Sequence, residues 1–267
     1  MPRGVSRYDE ARLQSRLWTP AAVRGDLSCW WDFSERGALT HATGISAIKS
    51  RHKSDVTMEE GTGSKQPVFT VGGINGRDCA NFSGTNNALG QFFTANSVMA
   101  NSFTAVVVFS VLATSGANSR VLSYITSGND YDSANAVALM NRYAANSIET
   151  YQNSGQRATT TTATDGEVQV FTVESDGTTC RHYRNGTAGG SGSWGTISLG
   201  SSGRWLIGKY NIGASETNHK GLWGEGVVVR LYAPWVRQKL EGYLAHRWGL
   251  AEKLAGTHPY RNAPPLI

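Results

Sequence analysis

Residues 102–112 read SFTAVVVFSVL, and their alternation decides how the rest of the chain is read. In an extended conformation Phe103, Ala105, Val107, Phe109 and Val111 share one side, and Val106, Val108 and Leu112 the other. A strand apolar on both faces belongs in the middle of a sheet, covered from both sides. Outward from it, short candidate strands follow one another: DLSCWWDF, QPVFTV, RVLSYIT, AVALMN, SIETYQ, QRATTTTAT, EVQVFTVES, TCRHYRNG, WGTISL, GRWLIGK and GVVVRLY. Gly, Asn, Asp and Ser separate them. About a dozen short strands punctuated in this way predict an all-β fold, an antiparallel sandwich or barrel.

Asn185-Gly186 lies where a type I′ hairpin turn is expected, because both residues tolerate positive φ. GSGSWG at 190–195 matches a dinucleotide fingerprint by letter, but no strand–turn–helix unit surrounds it, so it reads as a loop.

The 267 residues contain 31 Gly, 7 Pro and 17% charged side chains, a composition that suits many turns and one continuous core. No apolar run is long enough to span a bilayer, and the N-terminus MPRGVSRYDEARLQSRLW has no apolar signal core, so a soluble chain outside the ordinary export route is expected. Cys29, Cys79 and Cys180 are odd in number and widely spaced, which predicts buried free thiols. The net charge of +5 sits at the ends: residues 1–24 carry +3, residues 230–267 carry +4, and residues 25–229 carry −2. A nucleic-acid binder would carry a basic stripe on its folded body, so that function class is set aside. Arg3, Arg7, Arg12 and Arg16 instead mark residues 1–20 as a basic arm able to dock on an acidic protein surface, with residues 21–267 as the sandwich.

One segment has a different period. In WVRQKLEGYLAHRWGL (235–250), Val236, Leu240, Tyr243, Leu244 and Trp248 recur at helical spacing, Pro234 suits the first turn and Gly249 the stop. A helix over 234–248 is expected, with its apolar side laid across the sandwich or sealing its open end. Arg237, Lys239, Glu241 and Arg247 fall off that stripe, and His246 reads as a surface or capping residue.

KLEGYLAHRWGL (239–250) followed by HPY (258–260) resembles the C-terminal signature of laminin-G-like jelly rolls in the concanavalin A-like lectin/glucanase superfamily, of the kind found in bacteriophage virion proteins and bacterial surface proteins. LWTPAAV (17–23) with CWWDFSE (29–35) resembles the opening strand of that family. KQPVFTVGGINGRDCANFSGTNNAL (65–89) resembles the next strand pair, and HYRNGT (182–187) its Asn-Gly hairpin. SRHKSDVTMEEG (50–61) departs from the Gly/Asn-rich loop of the relatives. The resemblance implies a concanavalin A-like jelly roll, often glycan-binding and often only structural.

Candidate chemistry is sparse. Glycosidases need two carboxylates at a set separation, and the sequence has no Glu-x-Asp-x-x-Glu run; Asp165/Glu167 and Glu174/Asp176 read as solvated strand ends. No metal or nucleophile motif occurs, so the expectation is a chain that is not an enzyme. Asp130, Asp132 and Asn135 in GNDYDSAN offer oxygen ligands for Ca²⁺. Tyr131, Tyr143 and Tyr151, with Asn141 and Arg142, are the candidate sugar-binding residues, because sugars present apolar CH faces ringed by hydroxyls. The function expected is a virion structural protein of a bacteriophage, a capsid decoration or tail fibre component. It would contact other virion proteins, bind host-surface polysaccharide, form homo-oligomers in one version, and use no nucleic acid, membrane insertion or required cofactor. The alternative is a carbohydrate-active enzyme, hydrolase or lyase, or a bacterial surface glycan-binding protein.

Overall fold

The computed structural model describes residues 17–53, 56–83, 87–91, 99–112, 119–126, 136–142, 147–152, 155–160, 164–195, 203–208 and 219–267. Arg3, Arg7, Arg12 and Arg16, the Ca²⁺ candidates Asp130, Asp132 and Asn135, and Tyr131 and Tyr143 lie outside the described residues.

Among the described residues the chain is all-β, with two antiparallel sheets and one α-helix. The first sheet runs β15 (Thr187–Ser193), β14 (Thr179–Arg184), β13 (Gln169–Asp176), β8 (Ser102–Phe109), β17 (Leu222–Val229), β6 (Arg77–Asn81) and β5 (Val68–Ile74), with β1 (Leu27–Asp32) also paired to β17. The second runs β12 (Gly155–Thr160), β11 (Ile148–Gln152), β10 (Ala136–Arg142), β9 (Ser119–Ile125), β16 (Arg204–Ile207), β7 (Leu89–Gln91), β4 (Thr57–Glu59), β3 (Ile45–Lys49) and β2 (Leu39–His41). As its two-faced pattern predicts, β8 is central, held between β13 and β17.

The two faces of β8 serve two different cores. Phe103, Ala105, Val107 and Phe109 face the second sheet and join Trp31, Phe33, Tyr124, Phe171, Trp205 and Trp223 in the core between the sheets. Val106 and Val108 face outward, where they meet Val227, Val229, Val236, Leu240, Leu244 and Trp248. The helix α1 (Pro234–Arg247) therefore lies across the outer face of the first sheet as a third layer. It covers no open end, because an end seal would leave Val106, Val108 and Val227 exposed to water.

Val236, Leu240, Leu244 and Trp248 of the predicted stripe are buried and Tyr243 is half-buried, and neighbours expected outside the stripe are buried too. Glu241 is fully buried and Arg237 nearly so. Glu241 accepts hydrogen bonds from the Thr172 hydroxyl (2.8 Å), Arg237 (2.8 Å) and the His258 ring (3.2 Å). Arg237 lies 3.8 Å from the Tyr183 ring centre. Glu174, expected at a solvated strand end, is also buried and accepts from the Tyr183 hydroxyl. A buried charge persists only when paired, and these pairs fix the helix to β13, β14 and the C-terminal segment.

Two Asn-Gly turns position that third layer. Asn185 and Gly186 have φ of 50° and 74°, the expected I′ geometry, and the Asn185 carbonyl also accepts from Ala255 N–H. At Asn75-Gly76 (φ 48° and 81°) the Asn75 amide donates to the carbonyls of Trp248 and Gly249 at the end of α1 (2.8 and 3.2 Å). The first four residues of GSGSWG prove to be strand: β15 covers 187–193, and its small residues let the two sheets meet at one edge. A Cβ on Gly190 would stand 1.8 Å from the Thr159 carbonyl oxygen of β12. The three cysteines are free and buried, as expected.

Candidate functional site: an arginine-rimmed pocket over a buried carboxylate pair

β1 and β17 pair in a register that sets Asp32 directly opposite Glu225. Side chains alternate across a strand, so Asp32 shares the outer, helix-facing side with Trp30, and Glu225 shares it with Val227 and Val229. Both carboxylates are fully buried. Like charges directly opposite in a sheet repel, and Arg247 of α1 resolves the conflict by reaching between them. Its Nη2 lies 2.5 Å from Asp32 Oδ2 and its Nε 2.9 Å from Glu225 Oε2.

Each acid has further donors. Asp32 Oδ2 receives Arg51 Nη1 at 2.7 Å, and Oδ1 receives the backbone N–H and hydroxyl of Ser34 at 3.0 and 2.6 Å. The indoles of Trp30 and Trp248 donate to Glu225 Oε1 and Oε2 at 2.6 and 2.8 Å, and the Tyr243 hydroxyl donates to Oε1 at 3.3 Å. Burial, with Asp32 adding to it, pushes the Glu225 pKa up to about 7 against the opposing pull of Arg247, Trp248 and Trp30. Burial works against the Arg247 charge, but Glu225, Tyr243 and Asp32 outweigh it and hold that guanidinium more firmly protonated than usual.

Above this cluster is a pocket of about 630 Å³. Its polar and aromatic lining is Trp30, Tyr243, Arg51, Arg77, Arg247, His246 and Thr19, and its apolar lining Leu17, Trp18, Ala21, Pro264 and Pro265. Arg51 stacks 4.3 Å from the Trp30 ring centre, and Tyr243 meets that ring edge-on at 6.2 Å. His246, half-buried, donates from Nε2 to the Tyr260 carbonyl of the C-terminal segment at 2.8 Å. A smaller cavity of about 190 Å³ adjoins the pocket, sharing Ala21, Trp30 and Arg51 and adding Arg24, Leu27 and His52. The carboxylates line neither cavity; they hold arginines whose outer surfaces do. Such a site can meet hydroxyls and anionic groups with guanidinium donors, and CH surfaces with aromatic edges and proline rings.

The anticipated sugar-binding residues lie elsewhere. Asn141 and Arg142 are on β10 of the second sheet, opposite Glu149 and Ile148, and half-buried Tyr151 is on β11 opposite Ala138. Asp32, Glu225, Arg51, Arg77 and Arg247 were not anticipated as a group. Their signal was an acid inside an apolar strand, as in WWDF and WGEGVVV, but no sequence rule pairs two strands nearly two hundred residues apart. Arg51 comes from the loop in which the chain departs from the family it resembles. Among the described residues no three His, Cys, Asp or Glu side chains are placed to hold a metal ion, and no helix is long and apolar enough to cross a membrane.

No family model and no curated protein sequence matches the chain. Solved structures do. Trypanosoma rangeli sialidase in complex with sialic acid matches with a TM-score of 0.54 at 12% identity, over 80% of this chain and 32% of the sialidase. The same enzyme captured as a covalent intermediate with 2,3-difluorosialic acid gives 0.54 at 12% identity, over 80% and 33%. Domain 4 of a GH43 extracellular arabinanase from Geobacillus stearothermophilus, in complex with arabinotriose, gives 0.52 at 12% identity, over 79% of this chain and 96% of that domain. The chain thus spans about a third of the sialidase chains and nearly all of the arabinanase domain.

The shared property is the fold. It corrects the expectation of a chain that is not an enzyme: the same sandwich occurs within sialidases and an arabinanase, so a jelly-roll architecture without a sequence motif does not argue against enzymatic function. The virion role gains no support from these structures.

Proposed function

We propose that this chain is a carbohydrate-engaging β-sandwich of a glycan-active protein, and that a saccharide sits in the pocket between α1, β1 and the C-terminal segment. The observation that carries this reading is the pocket itself. Within about 630 Å³ it sets three guanidinium groups, a tyrosine and a histidine against an apolar wall, the mixture a sugar ring needs. A cavity of that order lies within the about 300–1,000 Å³ typical of small-ligand sites. The solved structures with this fold support the reading, since those named above were captured with sialic acid, a difluorosialic acid or arabinotriose.

The pocket is preferred over the β10–β11 residues because Arg51, Arg247 and Tyr243 are held in place from behind by Asp32 and Glu225. Preorganised donors lose little freedom on binding. The virion expectation, with its capsid or tail partners, Ca²⁺ and basic docking arm, has no comparable observation behind it.

The test is a glycan array probed with the wild type and with Ala21→Trp. Ala21 is exposed and lines both cavities, so an indole there fills the space without touching the core. Binding to a defined set of glycans, lost in Ala21→Trp at unchanged melting temperature, supports the reading. Equal binding by the two proteins refutes this site, and absence of binding refutes the function. Release of reducing ends from a bound glycan would extend the reading from holding a sugar to cleaving it.

A further inference from the structure

We infer that the pocket selects saccharides bearing a carboxylate, with Arg77 as the anchor for that group. This rests on the carbohydrate reading above and adds a substrate class to it.

The charges around the pocket are unequal. Arg51, Arg77 and Arg247 line it, and Arg24 lines the adjoining cavity. The acids on the same side, Asp32 and Glu225, lie behind the arginines and are saturated by donors. The pKa of His52, in the adjoining cavity, is lowered first by burial and then by Lys53, Arg24 and Arg230. With Glu225 titrating near neutrality, the pair behind the pocket carries less than two full negative charges at pH 7. The excess is cationic.

Arg77 differs from its neighbours. Arg51 and Arg247 are held by Asp32 and Glu225, whereas Arg77 is exposed and forms no ion pair or side-chain hydrogen bond among the described residues. The next acid along β6, Asp78, falls on the other side of the strand and is held by Arg36 at 2.6 Å. Arg77 is nonetheless placed with care. It opens β6 immediately after the Asn75-Gly76 turn, and Asn75 is tied to the end of α1, so its backbone is fixed relative to Arg247. An exposed planar guanidinium with free N–H groups that lines a cavity is suited to a bidentate carboxylate contact. The apolar wall of Leu17, Pro264 and Pro265 gives the rest of the sugar a surface, which a free inorganic anion would leave unused.

The experiment compares acidic sugars with their neutral parents by calorimetric titration: sialyllactose with lactose, and a hyaluronan tetrasaccharide with its carboxyl-reduced form. The wild type should bind at least one acidic member about tenfold or more tightly than its parent. That ratio should fall toward one in Arg77→Gln and on raising NaCl from 50 to 500 mM, which screens exposed charge. Lys65→Gln, outside the pocket, should leave the ratio unchanged.

Equal affinity for acidic and neutral members, with binding still lost in Ala21→Trp, overturns the carboxylate inference and leaves the carbohydrate reading standing. A preference that survives both Arg77→Gln and high salt also overturns it. Absence of binding by both members of every pair overturns the inference and the reading together.

Discussion

Replacing Arg247 with Met keeps most of the aliphatic stem and removes the charge that separates Asp32 from Glu225. In the wild type the two contacts are 2.5 and 2.9 Å long, and both acids are fully buried. Removing one partner of a buried ion pair costs about 3–5 kcal/mol, because the remaining charge is left uncompensated. Two features reduce this. Arg247 is 24% exposed, and Glu225, already pushed up to about 7, can take up a proton once the guanidinium has gone. The expected loss is therefore about 3 kcal/mol at pH 8.

At pH 5 Glu225 is already protonated in the wild type, and Asp32 retains Arg51 and Ser34. The loss there should shrink to about 1.5–2 kcal/mol, the lower part of the range for one hydrogen bond to a charged group. For a chain of this size each kcal/mol moves the melting temperature by about 2–4 °C. Thermal and urea unfolding of both proteins at pH 5, 6.5 and 8 gives the comparison. A loss below about 1 kcal/mol at pH 8, or one of equal size at pH 5 and 8, would refute the bridging role of Arg247.

The other stability predictions concern the same layers. Leu244→Ala removes a fully buried side chain from the helix–sheet core and should cost about 2–5 kcal/mol in urea unfolding; an unchanged midpoint would contradict the packing of α1. Glu225 has its pKa raised from 4.5 to about 7 in the folded state, so the native protein holds more protons than the unfolded chain in that window. Its contribution is full below about pH 4.5 and is lost as pH rises through 7, a decline of up to about 3 kcal/mol. Glu225→Gln should flatten that decline, and equal pH profiles for variant and wild type would show that Glu225 does not titrate there. Gly190→Ala places a methyl against the Thr159 carbonyl and should cost about 1–3 kcal/mol by overpacking, measured by melting temperature; a neutral result would mean that β12 and β15 are not in close contact.

The fold was legible because its strongest signals are periodic and local. SFTAVVVFSVL identifies a central strand, Asn185-Gly186 a I′ turn, and the spacing of Val236, Leu240 and Leu244 a helix. Where that helix lies was not legible. A stripe reports that one side is buried and does not say against what, and the sequence gives no sign that Thr172 and His258 converge on Glu241. GSGSWG reads as a loop in sequence for a related reason: a glycine-rich strand that lets two sheets approach has the composition of a loop. The pocket was hidden by sequence distance. Asp32, Arg51, Arg77, Glu225 and Arg247 occur singly in five segments, and only the pairing of β1 with β17 beneath α1 brings them together.

The most direct test of the carbohydrate reading is a crystal structure with the tightest-binding oligosaccharide from the array. The sugar is predicted between Arg77, Arg247, Tyr243 and Pro264. An ordered sugar beside Tyr151 on β11, with the pocket holding only water, would contradict it.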